Sequence, residues 1–296
     1  MWVRVLGAAA GGGFPQWNCG CPQCRAVRDG SRPCRPLTQS SIVVSADYRR
    51  WFLFNASPDL RTQIESFPAL RPRGLRDSPI NTVFLTDAEL DHTLGLLLLR
   101  EAGRLEVCAT AAVYETLSQG TSLLRVLEAY TRVAWRRVEP GAEMPLAGGL
   151  YCRAFEVPTD KRSRFGGGDW GSVVGYRITD RRAGRALVYL PGAQRLPEGV
   201  LAMLEGCACL LFDGTCWRDD ELIRLGVAGK TSREMGHLPI SGAGGSLKRL
   251  APLSIGRKFY IHINNTNPIL LEDSPERRAV EENGLEVAVD GLELEI

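Results

Sequence analysis

The chain has 296 residues, of which 44% are apolar, 24% charged and 7% aromatic. That composition excludes a disordered or fibrous protein, and the length allows roughly three quarters of the unfolded surface to be buried. Basic and acidic residues nearly cancel, 36 against 34 for a net charge of +2. No global attraction for nucleic acid follows from that balance, and no apolar run approaches the ~20 residues needed to span a bilayer. The opening MWVRVLGAAAGGGFP has no Lys/Arg-rich leader and runs into a glycine turn, so it reads as a first strand and a cytoplasmic protein is expected. No Gly/Ser, Pro or like-charge linker divides the chain, and a single domain over residues 1–296 is expected. Partners by this reading are small molecules, not nucleic acid or membrane, with the oligomeric state left open.

In chain order, β-type runs are expected at Trp2 to Leu6, Ser41 to Ala46, Trp51 to Asn55, Thr82 to Leu85, Leu105 to Cys108, Val173 to Ile178, Ala186 to Leu190, Ala208 to Phe212, Phe259 to Ile263 and Leu285 to Val289. Helix start signals stand between them. Ser57, Pro58 and Asp59 precede LRTQIESF, Pro197 and Glu198 precede GVLAML, and Ser274, Pro275 and Glu276 precede RRAVEENG. The stretch FPALRPRGLRD from Phe67 to Asp77 reads as a surface excursion. Many strands with interleaved helices predict a layered α/β or α+β domain. Three apolar strands stop abruptly at polar residues, VFL at TDAELDH, LLF at DGT and FYI at HINN. Such strand ends are where catalytic groups sit on layered scaffolds.

Cys19, Cys21 and Cys24 in NCGCPQC put three soft ligands around one tight turn, at zinc-knuckle spacing. A structural zinc is the favoured reading, against a reduced or redox-active turn. Nine cysteines without a secretory leader argue against a full disulfide framework. Cys34, Cys108, Cys152, Cys207, Cys209 and Cys216 are expected to be small buried hydrophobes, with a reservation for Cys216 in DGTC. Only three histidines exist, and each has a functional setting. His92 follows Asp91 just past a strand, His262 ends KFYIHINN, and His237 lies in the loop MGHLPISG. With Asp213 at the end of ACLLFDGT, these make a plausible mononuclear centre for a borderline or hard metal.

TDAELDHTLGL resembles the metallo-β-lactamase superfamily motif H-x-H-x-D-H followed by glycine, with Asp87 and Glu89 at the two leading histidine positions. Asp213 then falls at the bridging aspartate and His262 at the last histidine. The opening LGAAAGGGFPQWNCGCPQC is similar to the branch that holds the carbon-phosphorus lyase phosphodiesterase and the tRNA 3′-processing nuclease. Longer segments, NASPDLRTQI, DAELDHTLGLLLLRE, LLFDGTCWRDDE, SREMGHLPISG, KFYIHINNTNPIL and VAVDGLELEI, resemble nearly end to end the B-protein family of pyrroloquinoline quinone (PQQ) biosynthesis.

That resemblance implies the αβ/βα sandwich of two mixed sheets flanked by helices. It also implies a single metal, because the first-metal ligands are missing: Asp87 and Glu89 replace two histidines, and FEVPTDKR, where a third would fall, has none. The retained set is Asp91, His92 and His262 around a catalytic Fe(II), with Asp213 as a further ligand or an orienting group and His237 as acid or base. Asp87 and Glu89 are expected to orient the DH turn, relay a proton, pair with an arginine or hold a second ion weakly, and turn capping is the plain alternative. Zn(II) is expected at Cys19, Cys21 and Cys24, with Asn265 as a candidate fourth group. In KRSRFGGGDWG, Lys161, Arg162, Arg164 and Trp170 are expected to form a substrate lid, the alternative being a solvated turn. The implied activity is iron- and O₂-dependent hydroxylation of the tyrosine ring in a Glu-Tyr unit of a precursor peptide. Two alternatives stand beside it: a metal-dependent phosphodiester or ester hydrolase, and a non-catalytic PQQ carrier involved in export.

Overall fold

The structure is a computed structural model that describes residues 1–161, 165 and 173–296. Arg162, Arg164 and Trp170 of the expected lid lie outside the described residues.

Among the described residues, two 7-stranded sheets form the frame. In the first, β1 (Trp2–Gly7), β2 (Ser41–Ser45) and β3 (Trp51–Phe54) run as an antiparallel meander. From β3 the sheet continues in parallel through β4 (Ile80–Phe84), β5 (Arg104–Ala109) and β6 (Arg132–Arg137). The second sheet repeats the plan. An antiparallel meander of β7 (Glu143–Pro145), β8 (Leu150–Glu156), β9 (Val174–Asp180) and β10 (Arg185–Leu190) leads into parallel β11 (Cys209–Asp213), β12 (Arg257–Ile261) and β13 (Glu286–Val287). The last strand, β14 (Glu293–Glu295), crosses back to pair with β1.

The sheets pack face to face. Phe54, Phe84 and Tyr176 meet across the interface with ring centroids 4.8 to 5.5 Å apart, and the Tyr176 hydroxyl donates to the Leu85 carbonyl at 2.8 Å. Each such ring stabilises the fold by about 1.5–3 kcal/mol through burial alone. The outer face of the first sheet, with Leu53, Val83 and Val107, lies under Leu60, Leu96, Val113 and Leu124 of its helices and turns. The second sheet is covered by Val200, Leu204, Leu250 and Val280. Helix, sheet, sheet and helix layers therefore stack as expected for the αβ/βα sandwich.

All ten expected strands form, displaced by a residue or two at their ends. The helix after Ser274 starts as its sequence indicates, with the Ser274 hydroxyl accepting from Arg277 N at 3.0 Å. Asp59 differs. It caps nothing through its side chain, because its carboxylate accepts from the Gln39 backbone and side-chain amides at 2.9 and 3.0 Å. The expected surface excursion is only partly exposed. Phe67 and Leu70 are buried, Phe67 against Trp51 at 5.2 Å, whereas residues 71–77 are exposed.

Among the described residues, no helix is long and apolar enough to cross a membrane.

Candidate metal centre

The parallel strands of both sheets end at one edge, and their carboxyl ends supply the polar residues. Past β4 the chain gives Thr86, Asp87 and, one short turn on, Asp91 and His92 in the helix Leu90–Thr93. Asp213 is the last residue of β11, and His262 directly follows β12. His262 has φ 58°, in the left-handed region, so the chain turns sharply there and the side chain leaves the alternation of the strand.

Asp91, His92 and His262 bring one ligand atom each within 4.8 Å of one another. His262 Nε2 is 3.2 Å from Asp91 Oδ2, and His92 Nε2 is 3.9 Å from the same oxygen. The opposite ring atoms are fixed from behind. His92 Nδ1 donates to Asp87, 2.8 Å from both oxygens, and Asp87 also accepts from Thr86 Oγ1 at 2.8 Å and Glu89 N at 2.9 Å. Since a carboxylate only accepts, His92 carries its proton on Nδ1 and turns Nε2 inward. Among the described residues, buried His92 Nε2 has no hydrogen-bond partner.

Thr215 performs the same service for His262. Its hydroxyl donates to Asp213 Oδ1 at 2.6 Å and so accepts from His262 Nδ1 at 2.9 Å. His262 Nε2 is thereby left as a lone pair facing the Asp91 carboxylate. Two acceptors at 3.2 Å beside an orphaned imidazole nitrogen are a donor set that fits a cation.

Titration follows the same geometry. Burial works against an ionised Asp91, but His92 and His262 outweigh it and hold the carboxyl well below its usual range. Burial likewise opposes a charged His92, yet Asp87 and Asp91 raise it to about 9. For His262, burial dominates and lowers it.

His237 Nδ1 donates to Asp213 Oδ2 at 2.7 Å and lies 3.0 Å from Thr215 Oγ1. Its ring stacks on His262 with centroids 5.2 Å apart. Fully buried Asp213 also accepts from Ala193 N at 2.9 Å and Thr215 N at 3.0 Å. It forms a second candidate ligand group with His237 and His262. Asp213 is thus placed against His237, with its oxygens already taken by donors from the protein.

A third group stands apart. Cys19, Cys21 and Cys24 converge in the loop that enters the helix Pro22–Asp29, where Cys21 is the N-cap and accepts from Cys24 N at 3.4 Å. Asn265 reaches the same point from the other half of the chain, its amide nitrogen 3.3 Å from Cys24 Sγ and 3.7 Å from Cys21 Sγ. Burial pushes the Cys21 thiol up to about 12. Cys108, Cys152, Cys207, Cys209 and Cys216 are buried, and Cys34 is partly so. Cys216 is a buried thiol pushed well up by desolvation.

A model of the β-lactamase superfamily domain matches residues 50–263. Coenzyme PQQ synthesis protein B of Methylococcus capsulatus is 48% identical over 303 residues, covering 99% of both chains, and that of an Azoarcus species is 46% identical over the whole of both. The chain belongs to the PQQ synthesis protein B family of the metallo-β-lactamase superfamily. A crystal structure described as Zn²⁺-bound PqqB from Methylobacterium extorquens superposes over the whole of both chains with a TM-score of 0.91 at 42% identity. A diphosphatase of the PhnP family shares the fold at 20% identity and a TM-score of 0.71.

Within this PQQ synthesis protein B fold, some polar residues were not anticipated from sequence. Thr215 is one, and its only signal was its place two residues after Asp213. Another is Asn55, with φ 59° at the end of β3, whose amide donates to Thr86 Oγ1 at 3.0 Å and to Tyr189 OH at 3.3 Å. Glu89 Oε1 pairs with the Lys161 ammonium at 2.8 Å.

Proposed function

We propose that this protein acts in PQQ biosynthesis as a mononuclear non-haem iron hydroxylase of the tyrosine ring in a Glu-Tyr unit of the precursor peptide. The observation that carries this reading is the convergence of His92 Nε2, His262 Nε2 and Asp91 Oδ2, with both Nδ1 atoms tied back to Asp87 and Thr215. Two imidazoles and one carboxylate on one face are the ligand set of non-haem Fe(II) oxygenases. Fe(II) held there would supply open coordination positions for O₂ and substrate.

The chain's own groups do the rest. Asp87 and Thr215 hold the rings so that Nε2 is the ligand atom, and their hydrogen bonds raise ligand basicity. Because Asp213 binds Nδ1–H of His237, Nε2 is the atom at which His237 takes up or releases a proton. That side chain keeps 14% exposure, enough to exchange the proton with solvent or a bound phenol. Lid contacts from Arg162, Arg164 and Trp170 remain part of the proposal for binding the dipeptide carboxylates and ring.

Zn(II) at Cys19, Cys21 and Cys24, with Asn265 as the fourth group, is proposed as a staple between the N-terminal loop and the segment after β12. Turning the Asn265 amide over would present its oxygen to the metal.

The reading is tested by loading apoprotein anaerobically with Fe(II) or Zn(II), adding O₂ and a Glu-Tyr dipeptide, and measuring product mass. A gain of oxygen that needs iron and is lost in His92→Ala and His262→Ala is expected. No oxygen added with either metal would overturn it.

A further inference from the structure

The two positions that hold histidines in the superfamily motif are not idle here. Asp87 spends both oxygens on His92 Nδ1. Glu89 is paired with the ammonium of Lys161, 2.8 Å from Oε1, the lysine side chain being 20% and the glutamate side chain 33% exposed. Lys161 lies in FEVPTDKR, the segment with no histidine at the place of the third first-metal ligand. The residues that would make a first metal site thus supply an orienting carboxylate, a carboxylate already in an ion pair, and a cation.

Lys161 is held in this position by its surroundings. Its backbone amide donates to Thr159 Oγ1 at 3.1 Å. Preceding Asp160 donates its amide to Gln194 Oε1 at 2.6 Å and pairs with Arg195. The lysine stem runs over Gly236, just before His237. Gly236 has φ 96°, and a Cβ there would come within 3.0 Å of Lys161 Cδ. Glycine at 236 therefore serves both the left-handed turn and the passage of the lysine.

We propose that the Lys161 ammonium stands in for the first metal of the fold: held on Glu89, it occupies the charge and the space that an ion beside the triad would need and keeps the centre mononuclear. A divalent ion bound to Glu89 would have to displace an ammonium that touches the same carboxylate, against like-charge repulsion. The proposal rests on Asp91, His92 and His262 as the metal triad, and the experiment separates the two.

The experiment is a Co(II) titration of metal-free full-length protein. Thiolate-to-cobalt absorption reports the cysteine turn, and electron paramagnetic resonance reports spin coupling between neighbouring ions. Wild type is expected to take one ion at the cysteines and one uncoupled ion at the histidines. Lys161→Met should admit a further, spin-coupled ion, bound about tenfold to a hundredfold more tightly than any third ion on wild type. Lys161→Arg should behave as wild type, and Glu89→Gln added to Lys161→Met should abolish the gain. Overturning results are a coupled pair in wild type, or no further ion in Lys161→Met. If the wild-type histidine-site ion survives His92→Ala and His262→Ala, the triad itself is wrong and the proposal falls with it. That outcome is recognisable without reference to any Lys161 variant.

Discussion

Asp87→Asn removes one charge from behind the metal centre and leaves the volume almost unchanged. In the structure the carboxylate takes His92 Nδ1–H on both oxygens, along with the Thr86 hydroxyl and the Glu89 amide. An asparagine keeps a single neutral acceptor and turns a donor toward groups that also donate, so His92 loses the charged partner that fixes its tautomer and raises its basicity. Outer groups of this kind are worth about 10- to 100-fold in metal affinity, or about 1.4–2.8 kcal/mol. A proton competes with the metal for His92, which titrates at about 9 because Asp87 and Asp91 outweigh its burial. Raising the pH toward 9 removes that competition in wild type, so affinity climbs with pH over this window. The variant starts with a less basic ring and climbs less. Its deficit is therefore largest near pH 9 and smaller at pH 7. Chelator competition at both pH values measures this, with the metal of the cysteine turn as an internal standard. Equal affinity of variant and wild type at pH 9 would refute the orienting role of Asp87 and return it to turn capping.

Thr215→Val should weaken metal binding at the histidines by about tenfold, with Thr215→Ser restoring it, since the hydroxyl holds His262 Nδ1. Competition with a chelator checks both. Cys21→Ser should empty the cysteine turn of zinc and lower Tm while leaving metal at the histidines, as read by metal analysis and calorimetry. Asp290 gives a pH effect on stability. Burial raises its carboxyl to about 6 despite hydrogen bonds from Thr38 and Ala8. A carboxyl raised in the folded state contributes stability that is full below about 4 and is lost as pH rises through about 6, roughly 3 kcal/mol at 1.36 kcal/mol per unit. Denaturant unfolding at pH 4.5 and 7 of wild type and Asp290→Asn measures it, the variant being expected to lose the slope.

Much of this was legible in the chain because the buried strands are short apolar runs with polar stops. The strands that escaped notice are informative. β6 (RVAWRR) and β14 (ELE) lie at sheet edges with at least half of their residues exposed, so their composition is that of a loop. β8 (LYCRAFE) alternates only as far as Ala154, with Phe155 buried as well, and the arginine and glutamate hide a strand that its pairing with β9 completes. At the site, Asp91, His92, His262 and His237 stand out because the chain has so few histidines. Thr215 and Asn55 do not, and Lys161 stands out only as a lid residue, since a threonine, an asparagine and a lysine acquire these roles only when segments distant in sequence bring their partners within about 3 Å. Asp213 ends its strand as its sequence indicates, and its bonds from Thr215 are local, but its bond from His237 depends on the approach of the loop around residue 237.

The most direct test of the hydroxylase reading is the origin of the oxygen. Iron-loaded protein and the Glu-Tyr dipeptide would be exposed to isotopically heavy O₂ in ordinary water, and the product analysed by fragment mass spectrometry. The account predicts heavy oxygen on the tyrosine ring, absent in His92→Ala. Product oxygen drawn from water, or cleavage of the dipeptide without oxidation of the ring, would contradict it and identify the centre as hydrolytic.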